Sequence, residues 1–291
     1  MRAATLGDVS DALADFVTRS AQSVVAIRST RSRSSGFIWR PGLIVTADEA
    51  LAEEGDISVS LAGGERTAAV LVGRDATTDI ALLRIDRSDR LPVEFRSEPI
   101  RVGALALVVG SQDGEPTAAF GAVSFVGGAW RSVRGGEIDA RVELDVALRR
   151  NGEGALALDM SGQSLGMAVF GGRQRVLVIP AATIDRIAGR LQTHGRIARG
   201  YLGLGIHSVE LDGDQGLGIM VMKVDPKGPG AVAGARQGDV IVKWGGHPVR
   251  DVKTLLRFLG PESVGSTVRL SLRRGGESAE ADLTISERLE A

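Results

Sequence analysis

The chain has 291 residues, 43% hydrophobic and 24% charged with 39 glycines, enough for two ordinary domains with cores of their own. A net charge of −1 gives no general bias toward nucleic acid or an anionic membrane, and no stretch approaches the roughly 20 apolar residues of a membrane-spanning helix. Cysteine is absent, which removes disulfides, thiolate nucleophiles and cysteine-held metals together and leaves the compartment open.

Met1–Asp8 lacks the apolar core of a secretory signal. The expectation is a cytoplasmic protein if Met1 is the native start, and a periplasmic or other extracytoplasmic one if a targeting segment has been removed. Leu6, Val9, Leu13, Phe16 and Val17 recur three or four apart and predict an amphipathic helix within residues 1–22. From Ser23 to Val178 short Val, Ile, Leu and Ala runs alternate with Gly, Asp, Ser and Pro, the texture of many short antiparallel strands in barrels or sandwiches. Strands are expected at Ser23–Arg28, Ser35–Trp39, Leu43–Thr46, Ile57–Leu61, Thr67–Asp75, Ile80–Ile85, Ala104–Gly110, Ala118–Val126, Ile138–Val142, Ala155–Leu158 and Leu165–Phe170. Arg131–Arg134 reads as a solvated loop, and Trp39, Trp130 and Trp244 as core or interface residues. After Val176–Ile179, Thr183 is a candidate cap for a helix with Ile184, Ile187, Ala188 and Leu191 on one face. Periodicity then stops, so residues 193–199 read as a linker between domains at 23–192 and 200–288.

The second domain opens on Tyr201-Leu202-Gly203-Leu204-Gly205. It continues through strands near Leu217–Lys223 and Val240–Trp244, a helix from Asp251 to Leu259, and strands near Val268–Arg273 and Glu280–Ile285. The ordered string Pro226-Lys227-Gly228-Pro229-Gly230-Ala231, then Ala233-Gly234-Ala235 and Gly238-Asp239-Val240-Ile241, closely resembles the PDZ domain. PDZ domains bind extended peptides and free C-termini by adding a strand and holding the carboxylate on backbone amides. The resemblance makes Leu202-Gly203-Leu204 the carboxylate loop. It lays the groove between the strand Leu204–Val209 and the helix, with Tyr201, Leu202, Gly203, Leu204, Ile206, Leu255 and Leu259 as peptide-binding residues.

A barrel-like region followed by this module resembles the HtrA (Deg) family of trypsin-like serine proteases. The implied fold is mainly β, a trypsin-like double barrel followed by a PDZ domain. Ser35-Gly36-Phe37-Ile38 matches a family strand, Gly42–Leu51 the segment of the catalytic histidine, Asp75–Ile85 that of the aspartate, and Asp145–Leu148 with Asn151–Leu156 that of the nucleophile. On this correspondence Glu49 stands at the histidine position and Glu153 at the serine, and Asp79 is retained; Asn151 and Gly152 fall at the oxyanion position. Acyl transfer needs a nucleophile beside a base, yet residues 1–193 contain no histidine, lysine or cysteine; the three histidines are His194, His207 and His247. No catalytic residue is therefore expected to be active.

If the fold is kept, Glu49, Asp79 and Glu153 converge in one cleft with Asp48 near its edge. Three carboxylates together require a bound cation such as calcium, an ion pair for which Arg149 and Arg150 are nearest in sequence, or outward collapse into solvent. No spacing matches a known ligand loop, so neither metal nor cofactor is expected. The reading is a proteolytically inactive protein that binds peptides or C-termini, as scaffold, chaperone-like protein or regulatory subunit. The alternatives are an active HtrA-type endopeptidase, a modulating subunit of one, and another enzyme built on the carboxylates. The family resemblance also implies a homo-oligomer, a trimer formed through the N-terminal segment, or hetero-assembly with an active relative. Nucleic acid is not an expected partner.

Overall fold

The computed structural model describes residues 5–30, 32–53, 55–87, 89–96, 98–172, 175–211 and 216–287. The chain divides between Ile197 and Ala198 into two compact units. The domain edges expected at residues 1–4 and 288 lie outside the described residues.

The first unit begins with α1 (Leu6–Ser20), started by a capping box in which Thr5 and Asp8 satisfy each other's backbone N–H. Its apolar stripe is used unevenly, because Phe16 and Val17 pack on the core while Leu6 and Val9 remain exposed. Six strands follow: β1 (Val24–Ser29), β2 (Ser32–Arg40), β3 (Leu43–Thr46), β4 (Ile57–Ser60), β5 (Arg66–Asp75) and β6 (Ile80–Ile85). They close into an antiparallel barrel in the order β1-β2-β3-β6-β5-β4. The next strands are β7 (Leu105–Gln112), β8 (Glu115–Gly127), a short hairpin of β9 (Trp130–Arg131) and β10 (Glu137–Ile138), then β11 (Arg141–Asp145), β12 (Ala155–Asp159), β13 (Ser164–Phe170) and β14 (Val176–Pro180). All but the hairpin close a second barrel, β11-β14-β13-β12-β7-β8, and α2 (Ala181–His194) ends the unit's regular structure.

The apolar runs are continuous because these strands are buried on both faces. Ile38, Ile44, Ala81 and Leu83 fill the first barrel. Their strand neighbours Phe37, Val45, Leu82 and Ile80 face a larger core shared with Val109, Leu156, Met167, Ile179 and the Ile184, Ile187 and Leu191 face of α2. Val108, Val142, Leu144, Ala157 and Val178 fill the second barrel.

Several expectations need correction. The segment Ile138–Val142 is two strands, not one. The run breaks at Asp139, whose N–H donates to Thr183 Oγ1 and whose carboxylate accepts from Thr183 and Arg186. Thr183 is thus fully buried in that contact, and Pro180 is the N-cap of α2. The connection between units is also shorter than residues 193–199, since α2 runs to His194 and closes on left-handed Gly195.

The second unit contains β15 (Gly200–Tyr201), β16 (Leu204–Glu210), β17 (Leu217–Val224), α3 (Pro229–Val232), β18 (Val240–Trp244), β19 (His247–Pro248), α4 (Val252–Leu256), β20 (Thr267–Arg274), β21 (Glu277–Thr284) and β22 (Ser286–Glu287). The main sheet runs β16-β17-β18-β20-β21, with β19 on β18 and β15 paired to β22. Leu202, Ile219, Val221, Ile241, Leu255, Leu270 and Leu283 form its core, and Trp244 stacks on Phe258. Asp251 caps α4 through the Thr254 N–H, but the helix stops at Leu256, short of the expected Leu259. Gly260-Pro261 follows too soon for another turn, because proline drives its predecessor out of the helical region.

Candidate functional site

β3 and β6 are antiparallel neighbours with Thr46 opposite Ala81, so the turn after one and the turn before the other meet at the same barrel end. That register brings Glu49 to Asp79, and the Glu49 N–H donates to Asp79 Oδ1 at 2.8 Å. Asp79 is held at φ +58°, a left-handed conformation that aspartate tolerates better than most residues. The second barrel delivers Glu153 from the loop before β12. Glu153 O accepts from Ser35 N at 2.9 Å, Asn151 O from Ser35 Oγ at 2.7 Å, and Ser35 Oγ accepts from Ser111 N at 2.9 Å, so this loop is stitched to both barrels. Gly154 makes the seam possible. It sits at φ +81°, and a β-carbon there would lie 2.3 Å from Ser35 O.

Electrostatically the cleft is an acid trap. Burial pushes the Asp79 carboxyl up to about 7 against the Glu49 N–H that lowers it, and Glu49, Glu153 and Asp48 push it further up. Glu153 is also raised, by burial and by Glu49, with only a Phe170 backbone hydrogen bond working the other way. Glu49 is paired with Arg134 Nη2 at 3.0 Å. Arg134 belongs to the β9–β10 turn, which is strapped across the first barrel by Arg134 to Ala76 O and Ser132 to Thr77 O. The run Arg131–Arg134 is therefore not simply solvated, and Arg134 takes the role that sequence proximity gave to Arg149 and Arg150. Asp48 is buried, not at the edge; it pairs with Arg74, yet burial still raises its pKa. Among the described residues no group of three or more His, Asp or Glu is arranged to hold a metal ion.

Asn151 and Gly152 lie in a 3₁₀ turn, Arg150–Gly152. Gly152 N donates to Arg149 O at 2.8 Å and Glu153 N to Arg150 O at 3.4 Å, so the Glu153 N–H turns back into its own loop, away from the cleft. An oxyanion hole requires such groups to converge on the reacting atom. Two cavities flank the carboxylates, one of about 720 Å³ toward β1 and β2 and one of about 680 Å³ toward the β9–β10 turn, with Glu49 and Phe170 lining both.

In the second unit β16 has one neighbour among the described strands, β17, and is an edge of the described sheet. Before it, Leu202 O accepts from Gly230 N at 2.7 Å and Gly203 O from Asp225 N at 2.8 Å. In trans peptides the following N–H points opposite the carbonyl, so the Gly203 and Leu204 N–H groups face away from those partners. Gly203 sits at φ +66°, and a β-carbon there would approach Gly228 Cα to 2.8 Å. Tyr201 donates to Asp225 Oδ2 at 2.9 Å. Leu204 and Ile206 are partly buried beside the core, Leu202 and Leu255 are core side chains, and Leu259 lies past the end of α4, its carbonyl accepting from Gly200 N. Arg74 and Asp225 were not singled out from sequence, and Arg134 was read only as part of a solvated loop. Only Asp225, in the Asp-Pro turn, carries a local signal.

Comparison with known proteins matches a trypsin-like peptidase domain over residues 34–167 and a PDZ domain over residues 200–285. A probable periplasmic serine endoprotease DegP-like from Rhizobium meliloti is 31% identical over 271 residues, covering 88% of this chain and 53% of that protein. One of the same description from Rickettsia prowazekii is 29% identical, covering 97% and 58%. The chain thus spans about half the length of these relatives. The serine endoprotease structure from Yersinia pestis superposes with a TM-score of 0.73 at 25% identity, covering 94% of this chain and 97% of that one. The HtrA-type protease AlgW with decapeptide superposes with a TM-score of 0.73 at 23% identity, covering 96% and 99%. Mainly β, with two six-stranded trypsin-type barrels followed by a PDZ domain, the chain belongs to the HtrA/DegP family.

Proposed function

We propose that this chain is a proteolytically inactive HtrA-like protein that binds peptides or protein C-termini through its PDZ domain, as a scaffold, chaperone-like protein or regulatory subunit. The observation that carries the reading is the absence of histidine, lysine and cysteine from residues 1–193. Without them no serine or threonine in the barrels has a conventional base. His194, the exposed last residue of α2, is an ordinary helix-end side chain. Carboxylates at 49 and 153 add to the argument. A negative charge at Glu153 opposes the anion that acyl transfer must build, and Asp79 pushed to about 7 has no cationic imidazole to stabilise.

The binding half of the proposal rests on the free edge of β16 and on the outward N–H groups of the Gly203 loop. Together these offer main-chain pairing to an extended peptide and donors to its terminal carboxylate. Self-association, with a trimer as the expected form, or assembly with an active relative is assigned to the exposed Leu6 and Val9 of α1. Light scattering of the full chain and of a Leu6→Ser, Val9→Ser variant tests it.

Two experiments test the core of the reading. A fluorophosphonate probe leaves every serine unlabelled and casein is not degraded; specific labelling of one serine overturns inactivity. A pull-down with the full chain loses its C-terminal ligands on Gly203→Val, and retention of the same ligands overturns the PDZ assignment.

A further inference from the structure

A second charged site lies on the first barrel, at the mouth of the 720 Å³ cavity. Arg28 on β1 and Arg33 on β2 stand directly opposite each other in the antiparallel register. Like charges in that position are destabilising unless something neutralises them. Arg66 on β5 joins them, and all three reach one carboxylate, Asp113, at 2.9, 3.8 and 3.8 Å. Among the described residues these guanidiniums have no other acidic partner, so two positive charges stay uncompensated.

The site is rigid where it matters. The arginines sit on strands, and Asp113 is pinned by the tight Asp113-Gly114 turn between β7 and β8, with φ +53° and +98° at its two residues. Arg28, Arg33 and Arg150 line the cavity, whose floor includes Ser34, 2% exposed and with a buried hydroxyl that has no hydrogen-bond partner among the described residues. The same cavity is lined by Glu49 and Glu153, which carry the opposite charge and among the described residues make no ion pair with these arginines. A uniformly anionic ligand such as a nucleic acid is attracted at one end and repelled at the other. A polypeptide can present different charges to the two zones.

We propose that this cavity binds an acidic segment of polypeptide, seating an aspartate or glutamate carboxylate between Arg28 and Arg33 while neutral or cationic neighbours extend toward Glu153. The site is separate from the Gly203 loop and needs no free C-terminus.

The test is fluorescence anisotropy of the full chain with a fluorescein-labelled, C-terminally amidated Gly-Asp-Glu-Gly-Ala-Lys-Gly peptide, which carries neutral and cationic neighbours beside its acids, and its Asn/Gln counterpart. The amide denies the PDZ domain its carboxylate, so failure here and failure of the PDZ reading are distinguishable. The expected result is saturable binding of the acidic peptide alone. It weakens with added salt, becomes about tenfold weaker in Arg28→Gln, Arg33→Gln with circular dichroism unchanged, and is indifferent to Gly203→Val. Asp113→Asn, which removes the competing carboxylate, is expected to tighten binding. It decides the matter should the double variant fail to fold. The proposal is overturned by no binding to the wild-type chain, by equal binding of the neutral peptide, by wild-type affinity in the folded double variant, or by no tightening in Asp113→Asn. Displacement by oligo-dT or inorganic phosphate at concentrations equal to the peptide also overturns it, in favour of a general anion site.

Discussion

Replacing Asp79 by asparagine probes the protonation of the cleft. The carboxyl is raised from 3.8 to about 7, chiefly by burial, with Glu49, Glu153 and Asp48 adding to it. Roughly three pH units at about 1.4 kcal/mol each set a ceiling near 4 kcal/mol on the differential interaction. A raised folded-state pKa means that the folded chain holds this proton more tightly than the unfolded chain. The resulting stability is fully present below about pH 3.8 and is lost as pH rises through about 7. Asparagine stays neutral at every pH, tolerates the left-handed φ of +58°, and can accept the Glu49 N–H as Asp79 does. Asp79→Asn is therefore expected to be more stable than wild type at pH 8, by about 2–4 kcal/mol, and the difference should shrink steadily toward pH 4. Guanidinium unfolding of both proteins between pH 5 and 8 measures that difference. Asp48 and Glu153 are raised in both proteins, so their contributions largely cancel. A carboxyl carbon-13 titration of Asp79 should show a midpoint near 7. Equal pH slopes for the two proteins, or a destabilised variant at pH 8, would refute the reasoning, since a charged Asp79 in a working relay loses its favourable partner when neutralised.

The Arg134–Glu49 pair is half-exposed at both ends, so Arg134→Gln should change global stability by less than about 1 kcal/mol while raising the rate of proteinase K cleavage in the β9–β10 turn. Ser35→Ala should cost about 2–3 kcal/mol, because it strands the Ser111 N–H and the Asn151 carbonyl in the seam between barrels, whereas Glu153→Gln should cost less than about 1 kcal/mol; denaturant midpoints decide it. Gly154→Ala forces a β-carbon to 2.3 Å from Ser35 O at a positive φ, so it should lower the folded yield or cost more than about 2 kcal/mol. Glu49→His with Glu153→Ser should not by itself give casein turnover, since the residue-153 N–H is turned to Arg150 O and Asn151 is kept; a fully active double variant would show that the loop follows the side chains.

Much of the fold was legible because the strands obey simple periodicities. Leu43–Thr46, Ile80–Ile85 and Val240–Trp244 end in the structure where their apolar runs end, at Pro-Gly, Gly-Gly or acidic turns. The misplaced elements were set by distant partners. Asp139 breaks a strand because Thr183 and Arg186 claim it, and nothing within residues 138–142 signals that. α4 is shorter than its leucine spacing implies because Gly260-Pro261 intervenes and Leu259 turns to the start of the domain. In the cleft the convergence of Glu49, Asp79 and Glu153 followed from the family frame, but their charge state did not. Arg149 and Arg150 were near in sequence, whereas Arg134 arrives on a hairpin whose path is visible only in three dimensions. Burial of Asp79, the first cause of its shift, is a property of packing that no local pattern reports.

The separation between frame and chemistry has a physical basis in where each group sits. The groups that build the cleft are backbone atoms and small buried side chains: Ser35 and its carbonyl, the Gly154 backbone, the Thr46 hydroxyl that donates to Ser35 O at 2.7 Å, and the Asp79 turn. Changing any of these disturbs close contacts within and between the barrels, which interiors packed at crystal-like density do not absorb. The side chains at 49 and 153 project from that frame into two cavities and touch it mainly through one ion pair and one backbone hydrogen bond. Carboxylates at these positions cost the fold little, and on the proposed reading they repel the anion that acyl transfer would build there. The architecture therefore persists on packing grounds alone. On the proposed reading, any use of the cleft comes from surfaces other than the triad positions, and the Arg28–Arg33 face of the 720 Å³ cavity is one such charged surface.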